Sequence, residues 1–440
     1  MKQARFKLSY TQIIFLSFLG LIFLGACLLS LPISSRSGTS TPFIGALFTA
    51  TSATSITGLV IYDTYTHWSL FGQLVILCLI QIGGLGFMTI LTIVFHMLRR
   101  KMGLQERQLL MQTSGMKHLG GILPIVWRIA MISLTLQLIF TLFLSIRFIP
   151  ELGFWSGIYF SIFHAVSAFC NAGFDLMGRF GYTSLSAYAN DILVNFTIMT
   201  AVIVGSFGFI VWNDIWNHKA KFKRFSLHSK IALSATFTLV LLGFIAFFLI
   251  ERGWNQENGV LISLFQSAIT RTAGFHTVDT ATLSAPTIVL SMVFMIIGGS
   301  SGSTAGGVKT TTITILLFNA VNSMRKSHSL VLFKRKISDE TIKNASAIFF
   351  IYFSVLVVAS IVLTAIEPAP MIESMFEVIS ATGTVGLSLG LTPYLSTAGR
   401  LVITVLMFAG RVGLLTLLLA LVKKHPDPPI ERPVEKILVG

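Results

Sequence analysis

A short glycine-bearing motif occurs four times along the chain, and this repetition restricts the possible folds more than any other feature. The copies lie at 55–59 (SITGL), 170–174 (CNAGF), 271–275 (RTAGF) and 383–387 (GTVGL). Their glycines, Gly58, Gly173, Gly274 and Gly386, are 115, 101 and 112 residues apart. A phenylalanine precedes each glycine by nine or ten residues (Phe48, Phe163, Phe265 and Phe376). Self-similarity at a steady period indicates one repeated structural unit. We predict four units, each made of a helix, a short half-helix, a glycine loop and a second helix.

A second glycine motif keeps the same spacing. It lies 24 to 32 residues after the first, at 83–86 (GGLG), 205–208 (GSFG), 299–302 (GSSG) and 410–413 (GRVG). Each copy falls inside the apolar run that follows the loop.

The composition indicates a membrane protein. The chain is 54% hydrophobic and 11% charged, with a mean hydropathy of +0.81. Runs of about 20 apolar residues can cross a bilayer as helices. Eight such runs are present, near 10–31, 69–98, 122–148, 187–217, 230–250, 286–320, 344–366 and 397–422. The predicted fold class is therefore an all-α membrane protein with eight transmembrane helices.

The basic residues alternate along the chain, which predicts its orientation. They cluster at the N-terminus (Lys2, Arg5, Lys7), in every second connection (99–117, 219–230, 325–343) and at Lys423 and Lys424. The other connections hold few basic residues, among them Arg271, and they hold nine of the 17 acidic residues. This pattern is typical of cytoplasmic basic loops. It places both termini in the cytoplasm, and it explains the net charge of +15 without a nucleic-acid partner.

Four segments are too short to span a membrane and too apolar for surface loops. The segment 43–54 and its counterpart at 154–169 are predicted to be re-entrant half-helices. Non-helical backbone at membrane depth must be buried in protein or line a water-filled cavity. The predicted repeats are 1–98, 120–218, 228–323 and 343–424, with a cytoplasmic tail at 425–440.

The glycine loops suit a cation filter built from backbone carbonyls. A dehydrated monovalent cation needs several oxygens at once, which carbonyl groups supply without a net charge. Consecutive carbonyls can face one side only if backbone handedness alternates, and glycine readily adopts the positive φ required. The half-helix C-termini would favour a cation at the centre. The alternative is that each glycine only allows close helix packing, which four loops in register disfavour. The predicted filter residues are Ile56, Thr57, Gly58, Asn171, Ala172, Gly173, Thr272, Ala273, Gly274, Thr384, Val385 and Gly386.

A Gly/Ser stretch interrupts the last apolar run of the third repeat. Five glycines fall within 298–307, and each costs roughly 1 kcal/mol in a helix interior. We predict that the helix breaks there. A phosphate-binding loop is rejected, because Val308 separates the glycine from Lys309 and a membrane run precedes the motif.

Charged residues near these motifs have alternative interpretations. Arg411 lies in mid-helix, where cations are costly and usually functional; it either contributes to gating or anchors the loop through carbonyl groups. Lys309 is expected to extend towards the cytoplasm. Glu377 is expected to be hydrogen-bonded behind the filter. Asp175 and Asp279 either concentrate cations at the mouth or, as we favour, are solvated turn residues like His276.

These motifs resemble those of the Trk/Ktr/HKT superfamily of potassium transporters, over essentially the full chain. One filter glycine in each of four M1-P-M2 units is the family pattern, and 299–309 (GSSGSTAGGVK) is close to its third-repeat signature. The length is most similar to the Ktr pore subunits. The resemblance implies an uptake pore with K⁺ as its ion, with or without Na⁺ influence, and no organic cofactor. Gly58 implies a preference for potassium, because serine in the first loop goes with sodium passage in some plant members. The Gly/Ser stretch would be the intramembrane loop that lies beneath the filter and gates flow, and Arg411 would face the pore near it. The implied gate residues are Gly298, Gly299, Ser300, Ser301, Gly302, Ser303, Thr304, Ala305, Gly306, Gly307 and Arg411. The implied assembly is a lipid-embedded homodimer on a ring of cytosolic nucleotide-binding subunits.

Two other function classes are weighed. A secondary cation symporter with alternating access would place broken helices in paired halves, whereas the glycine loops follow a fourfold register. A membrane enzyme would need a nucleophile, an acid/base pair or a metal cluster at membrane depth, and the sequence has no such pattern.

Overall fold

The computed structural model describes residues 10–86, 122–251 apart from Tyr182 and Ala220, 258–325 and 329–413. Among these residues the fold is helical except for one short hairpin. The predicted far end of the second span (87–98), the first basic connection (99–117) and the tail (425–440) lie outside the described residues.

A long helix, a half-helix and a helix beyond the glycine loop follow one another in a regular order. The long helices are α1 (Tyr10–Ser30), α4 (Ile122–Leu152), α8 (Leu227–Ile250) and α12 (Asp339–Ile366). The half-helices after them are α2 (Phe43–Ser55), α5 (Phe154–Phe169), α9 (Gly259–Ile269) and α13 (Met371–Gly383). The helices beyond the loops are α3 (Leu70–Leu85), α6 (Ile192–Ser206), α10 (Ala285–Ile296) and α14 (Thr397–Val412). Two more helices, α7 (Phe209–His218) and α11 (Thr310–Met324), follow α6 and α10. The hairpin pairs β1 (Val331–Leu332) with β2 (Arg335–Lys336) in antiparallel register.

The half-helices lie in the interior, and the long helices present apolar side chains outwards. The four phenylalanines that precede the loop glycines are all 0% exposed. By contrast, Phe237 of α8 and Phe350 of α12 are each 72% exposed. Exposed aromatic residues on apolar helices are what a lipid environment requires.

Fewer helices are long enough to cross a bilayer than the sequence predicts. Among the described residues, 127–152, α8 and α12 pass by length and composition. The pair α6 and α7 would add a fourth span, bent by 94°. Several remaining candidates are short because the helix after the loop stops at the second glycine motif. There Gly86, Gly208 and Gly413 have φ angles of 83°, 87° and 92°, which an α-helix cannot contain. The count of eight spans stays a prediction.

Side-chain caps fix where the helices after the loops begin. Ser69, Asp191 and Ser396 accept hydrogen bonds from the backbone of Gly72 (3.3 Å), Val194 (3.0 Å) and Gly399 (3.1 Å). Acidic residues near the C-terminal ends of α12 and α4 are linked to two of these capping residues. Glu367 accepts from Ser396 Oγ at 2.6 Å, and Arg147 bridges Glu151 (2.8 Å) and Asp191 (2.7 Å). Each of these long helices is thereby tied to its following helix around the half-helix between them.

Candidate functional site

The four loop glycines meet at one point and close a ring. A β-carbon built on Gly58 would lie 3.3 Å from Cα of Gly173, and one on Gly173 would lie 2.6 Å from Cα of Gly274. A β-carbon on Gly274 would lie 3.0 Å from the carbonyl carbon of Gly386, and one on Gly386 would lie 2.9 Å from Cα of Gly58. Each glycine therefore touches the next in chain order, and the fourth touches the first. Side chains at these four positions would collide with backbone.

The other predicted filter residues accompany the glycines into the interior. None of them is more than 2% exposed. They are Ile56, Thr57, Asn171, Ala172, Thr272, Ala273, Thr384 and Val385. The structure thus brings all twelve predicted positions together in the four loops.

Backbone handedness alternates in three of the loops. The φ angles are 59° at Ile56 and 89° at Gly58, 61° at Asn171 and 70° at Gly173, and 51° at Thr384 and 91° at Gly386. One residue without positive φ separates the members of each pair. The described third loop differs, since neither Thr272 nor Gly274 has a positive φ. Carbonyl oxygens border the ring, because β-carbons on Gly58 and Gly386 would collide with the oxygens of Ala172 and Thr57.

A serine six residues before the glycine braces the same three loops. Ser52 Oγ accepts from the Gly58 backbone at 3.1 Å, and Ser380 Oγ accepts from the Gly386 backbone at 3.0 Å. Ser167 instead donates to the carbonyl of Phe174 at 2.7 Å. The third repeat has Ala268 at this position, which matches its different backbone. Sequence analysis missed these serines, although their constant offset from the glycine was a usable signal.

The second glycine motif permits close contact with the end of the half-helix. A β-carbon on Gly83 would lie 2.9 Å from the carbonyl carbon of Thr54. The equivalent distances are 3.1 Å from Gly205 to Phe169 and 3.0 Å from Gly410 to Thr382. All three contacted residues stand four positions before their loop glycine. The motif therefore supports the loops from behind.

A cavity of about 340 Å³ opens on one side of the ring. All four loop glycines line it, together with Asp63, Asp175 and Asp279. We call this cavity the vestibule. The three carboxylates also accept hydrogen bonds in their own turns, from the backbone of Thr66 (2.6 Å), Met177 (2.9 Å) and Ala281 (3.0 Å). Both interpretations of Asp175 and Asp279 thus have support, because they are turn residues that face a shared cavity.

The vestibule changes the acidity of one carboxyl group. Burial, assisted by the nearby Asp63 carboxylate, raises the pKa of Asp175 to about 7. Burial lowers the pKa of His276, which also lines the vestibule. The charge of the vestibule therefore changes near neutral pH through a carboxyl group.

Two charged side chains lie buried near the loops. Glu377 is 0% exposed and accepts a hydrogen bond from Thr392 Oγ1, as expected for a group behind the fourth loop. Arg271 is 2% exposed, and within the described residues its Nε and Nη2 atoms have no hydrogen-bond partner. By its sequence position Arg271 is counted in a connection with few basic residues, and the structure shows that it packs in the interior beside the third loop.

The Gly/Ser stretch is irregular, as predicted, and folds back on itself between α10 and α11. Gly298 donates to the carbonyl of Val308 at 2.9 Å, and Val308 donates to that of Ile296 at 3.1 Å. A β-carbon on Gly306 would lie 3.0 Å from the carbonyl oxygen of Gly383. The stretch therefore lies against the base of the fourth loop.

The break between α6 and α7 holds the Gly/Ser stretch from the second repeat. Ser300 donates through its backbone to Ser206 O at 3.0 Å and through its hydroxyl to Phe207 O. Thr304 Oγ1 donates to Gly205 O at 3.1 Å. Phe209 donates to Gly302 O at 2.9 Å. Both the second glycine motif of repeat two and the predicted gate residues belong to this contact.

Arg411 links three repeats through carbonyl groups. Its guanidinium donates to Thr304 O in the Gly/Ser stretch and to Gly83 O at the end of α3. This geometry matches the anchor interpretation of Arg411. Lys309 does not extend away as expected, because its Nζ donates to Ala305 O inside the stretch at 2.7 Å.

Comparisons with known proteins agree on one family. The profile of the family described as "TrkH: Cation transport protein" matches residues 9–432. The chain is 42% identical to the potassium/sodium uptake protein NtpJ of Enterococcus hirae, over 100% of this chain and 99% of that protein. It is 40% identical to the Ktr system potassium uptake protein B of Bacillus subtilis, over 94% of this chain and 95% of that protein.

A solved structure has the same fold. The crystal structure of the potassium transporter TrkH from Vibrio parahaemolyticus aligns with a TM-score of 0.74 at 18% identity. The alignment covers 96% of this chain and 87% of that one.

Proposed function

The chain belongs to the TrkH family of cation transport proteins, and from that premise we propose that it is a potassium uptake pore whose selectivity filter is the ring of four glycine loops. The filter residues are those predicted from the sequence, from Ile56–Gly58 to Thr384–Gly386. They would bind K⁺ through backbone carbonyl oxygens. Both relatives are named as potassium uptake proteins, and the name of one also includes sodium. Na⁺ should therefore be tested as a second ion.

The closure of the glycine ring carries this proposal. Four loops from four parts of the chain contact one another in order, and three have alternating φ signs. Glycines that served only helix packing would need neither the mutual contact nor the alternation. The acidic vestibule that opens onto the ring supports a cation as the ion carried, because negative charge at the mouth raises the local cation concentration.

The gate is proposed to be the Gly/Ser stretch at 298–307 together with Arg411. The stretch lies against the base of the fourth loop, and its ordering depends on hydrogen bonds from two other repeats. A segment of low helical preference held by a few carbonyl contacts can change position at low energetic cost. Movement of this stretch would open the path below the filter.

The arrangement in the membrane is also part of the proposal. It comprises eight spans in four M1-P-M2 repeats (1–98, 120–218, 228–323 and 343–424) around one pore, with both termini in the cytoplasm. By family resemblance the protein would be a homodimer in the cell membrane, regulated by a ring of cytosolic nucleotide-binding subunits. The basic connections near 99–117, 219–230 and 325–343 are the proposed docking surface.

Ion flux in proteoliposomes that contain only this chain tests the function. K⁺, Rb⁺ and Na⁺ should be compared under an imposed ion gradient, with empty liposomes as the control. We expect passive K⁺ flux that exceeds Na⁺ flux. Uptake that requires a second ion gradient would instead favour a symporter, and equal flux to empty liposomes would contradict the proposal.

A further inference from the structure

A second large cavity lies away from the glycine ring, at the corner between α6 and α7. Its volume is about 830 Å³. Because the chain bends by 94° after Ser206, α7 crosses beside the beginning of α4. Arg128 of α4 holds this crossing, since its Nη1 donates to the amide oxygens of Asn217 (3.2 Å) and Asn213 (3.5 Å). We call this cavity the corner pocket.

The walls of the corner pocket are apolar, and tryptophans line it. Trp127, Trp212 and Trp216 are three of its lining residues and half of the six tryptophans in the chain. Trp216 is 61% exposed. Tryptophan is enriched where a bilayer meets water. The polar residues of α7 occupy other positions (Asn213, Asp214 and Asn217), so α7 has the two-faced character of a helix that lies in the membrane interface.

Among the described residues that line the pocket, Arg128 is the one with a charged side chain. Within the described residues it has no carboxylate at salt-bridge distance, and the ion pairs there involve Arg147. Its two hydrogen bonds to asparagine use Nη1 alone, while a guanidinium carries five donors, and its Cζ lies 5.9 Å from the centroid of the Trp216 ring. Guanidinium groups bind phosphate through two parallel hydrogen bonds.

More basic residues follow α7, the helix that forms one wall of the pocket. Lys219, Lys221, Lys223 and Arg224 come immediately after α7, on the side predicted to be cytoplasmic. Basic residues next to the membrane attract anionic lipids and disfavour a cationic headgroup. Apolar walls, interfacial tryptophans and an arginine without an acidic partner thus occur together at one interface.

We propose that the corner pocket binds a phospholipid with a net anionic headgroup. An acyl chain fills the apolar cavity, and the phosphate accepts hydrogen bonds from Arg128. Val204 and Phe207 belong both to the pocket wall and to the turn that holds the Gly/Ser stretch. Trp212 Nε1 donates to Val204 O at 3.2 Å, so one pocket tryptophan also fixes that turn. A bound lipid therefore stabilises the bend between α6 and α7.

Quenching of tryptophan fluorescence by brominated lipids tests the proposal without using ion flux. The full chain is reconstituted with brominated phosphatidylglycerol or brominated phosphatidylcholine as the minor lipid. We expect phosphatidylglycerol to quench more effectively, with about a fivefold preference in relative affinity, the size of one basic contact to an anionic lipid surface. In the triple variant Trp127→Phe/Trp212→Phe/Trp216→Phe, which removes all three tryptophans of the pocket, the preferential quenching by phosphatidylglycerol should disappear.

Charge variants identify the headgroup contact. Arg128→Gln should lose the preference for phosphatidylglycerol, and Arg128→Lys should retain it. Arg36→Gln removes one charge from an exposed position outside the pocket and outside the basic connections and should behave as the wild type. Elution as a single folded species is required of each variant, and Arg128→Lys keeps the test decisive if Arg128→Gln misfolds. Equal quenching by the two lipids, or an unchanged preference in Arg128→Gln, would overturn the proposal. An unaltered preference in the triple tryptophan variant would show that the lipid does not enter the pocket.

Discussion

At position 58, the backbone conformation and the neighbouring atoms both require glycine. Its φ is 89°, and a β-carbon would collide with the carbonyl oxygen of Ala172. We expect Gly58→Ser to lower the ratio of K⁺ to Na⁺ flux about tenfold, since a left-handed backbone costs a side-chain-bearing residue ~1–2 kcal/mol and the loop must shift. Flux of both ions in proteoliposomes measures the ratio.

Gly38→Ser is the matched control for this change. Gly38 also has a positive φ, 70°, but a β-carbon there would meet no atom within 4 Å. The Gly38→Ser variant has the same backbone strain but no contact with the ring, so its ratio of K⁺ to Na⁺ flux should stay at the wild-type value. An unchanged ratio in Gly58→Ser would remove Gly58 from the filter.

The serine brace makes a separate prediction for the first loop. Ser52→Ala removes the acceptor of the Gly58 N–H, and a buried unsatisfied donor costs about 1–3 kcal/mol. We expect weaker ion selectivity and a lower melting temperature in a thermal-unfolding assay. Ser30→Ala is the control, because Ser30 Oγ bonds only to its own helix, at Cys27 O (2.9 Å). Wild-type selectivity in Ser52→Ala would mean that the brace does not shape the filter.

At the scale of elements, Arg411 and the Gly/Ser stretch act together. Arg411→Ala should raise K⁺ flux per folded molecule, because it frees the stretch and removes a positive charge from the path. Repulsion between unit charges ~7 Å apart is about 2 kcal/mol at an effective dielectric near 20, which corresponds to more than a tenfold change. Arg400→Ala, in the same helix, is the control and should leave flux unchanged. A lower flux per folded molecule in Arg411→Ala would contradict the gating role.

Shortening the Gly/Ser stretch should also raise K⁺ flux. Deletion of 301–303 removes part of the segment below the filter while the four glycine loops remain intact. We therefore expect faster K⁺ flux with an unchanged ratio of K⁺ to Na⁺. A changed ratio with no gain in flux would indicate that the stretch supports the filter instead of gating it.

The half-helices could be predicted from the sequence because local signals determine them. The segments 43–54 and 154–169 were predicted, and the structure has Phe43–Ser55 and Phe154–Phe169. The ends of α3 at Leu85, of α6 at Ser206 and of α14 at Val412, all within the second glycine motif, were not predicted. A glycine in an apolar run is equally compatible with an intact packed helix. The contacts that accompany these breaks, between Gly83 and Thr54 for example, join distant parts of the chain. The burial of Arg271 was not predicted for a similar reason, since loop position alone does not reveal burial.

At the scale of the whole molecule, the vestibule predicts a pH dependence. The pKa of Asp175 is raised to about 7, so its carboxyl group is charged above that pH and neutral below it. Cation uptake at subsaturating K⁺ should therefore fall as the external pH decreases from 8 to 6. One unit charge at contact distance in water contributes about 1 kcal/mol, or roughly a fivefold change. Asp175→Asn should be slow at both pH values, whereas Asp279→Asn should keep the pH dependence. A pH profile identical in wild type and Asp175→Asn would contradict this assignment.

The orientation of the whole chain follows from the alternation of charge and can be tested by labelling. In a background without Cys27, Cys78 and Cys170 that retains transport, single cysteines replace residues in the connections. The basic-side positions are Lys101, Lys223 and Lys334, and the acidic-side positions are Asp63 and Glu257. An impermeant maleimide should label the first group only from the cytoplasmic side and the second only from outside, because basic connections are retained in the cytoplasm. Asp63 lines the vestibule, so its label also reports which side the ring opens to. If any position of one group reacts from the opposite side, the chain does not cross the membrane eight times in the proposed order, and the vestibule cannot be assigned to the outer face.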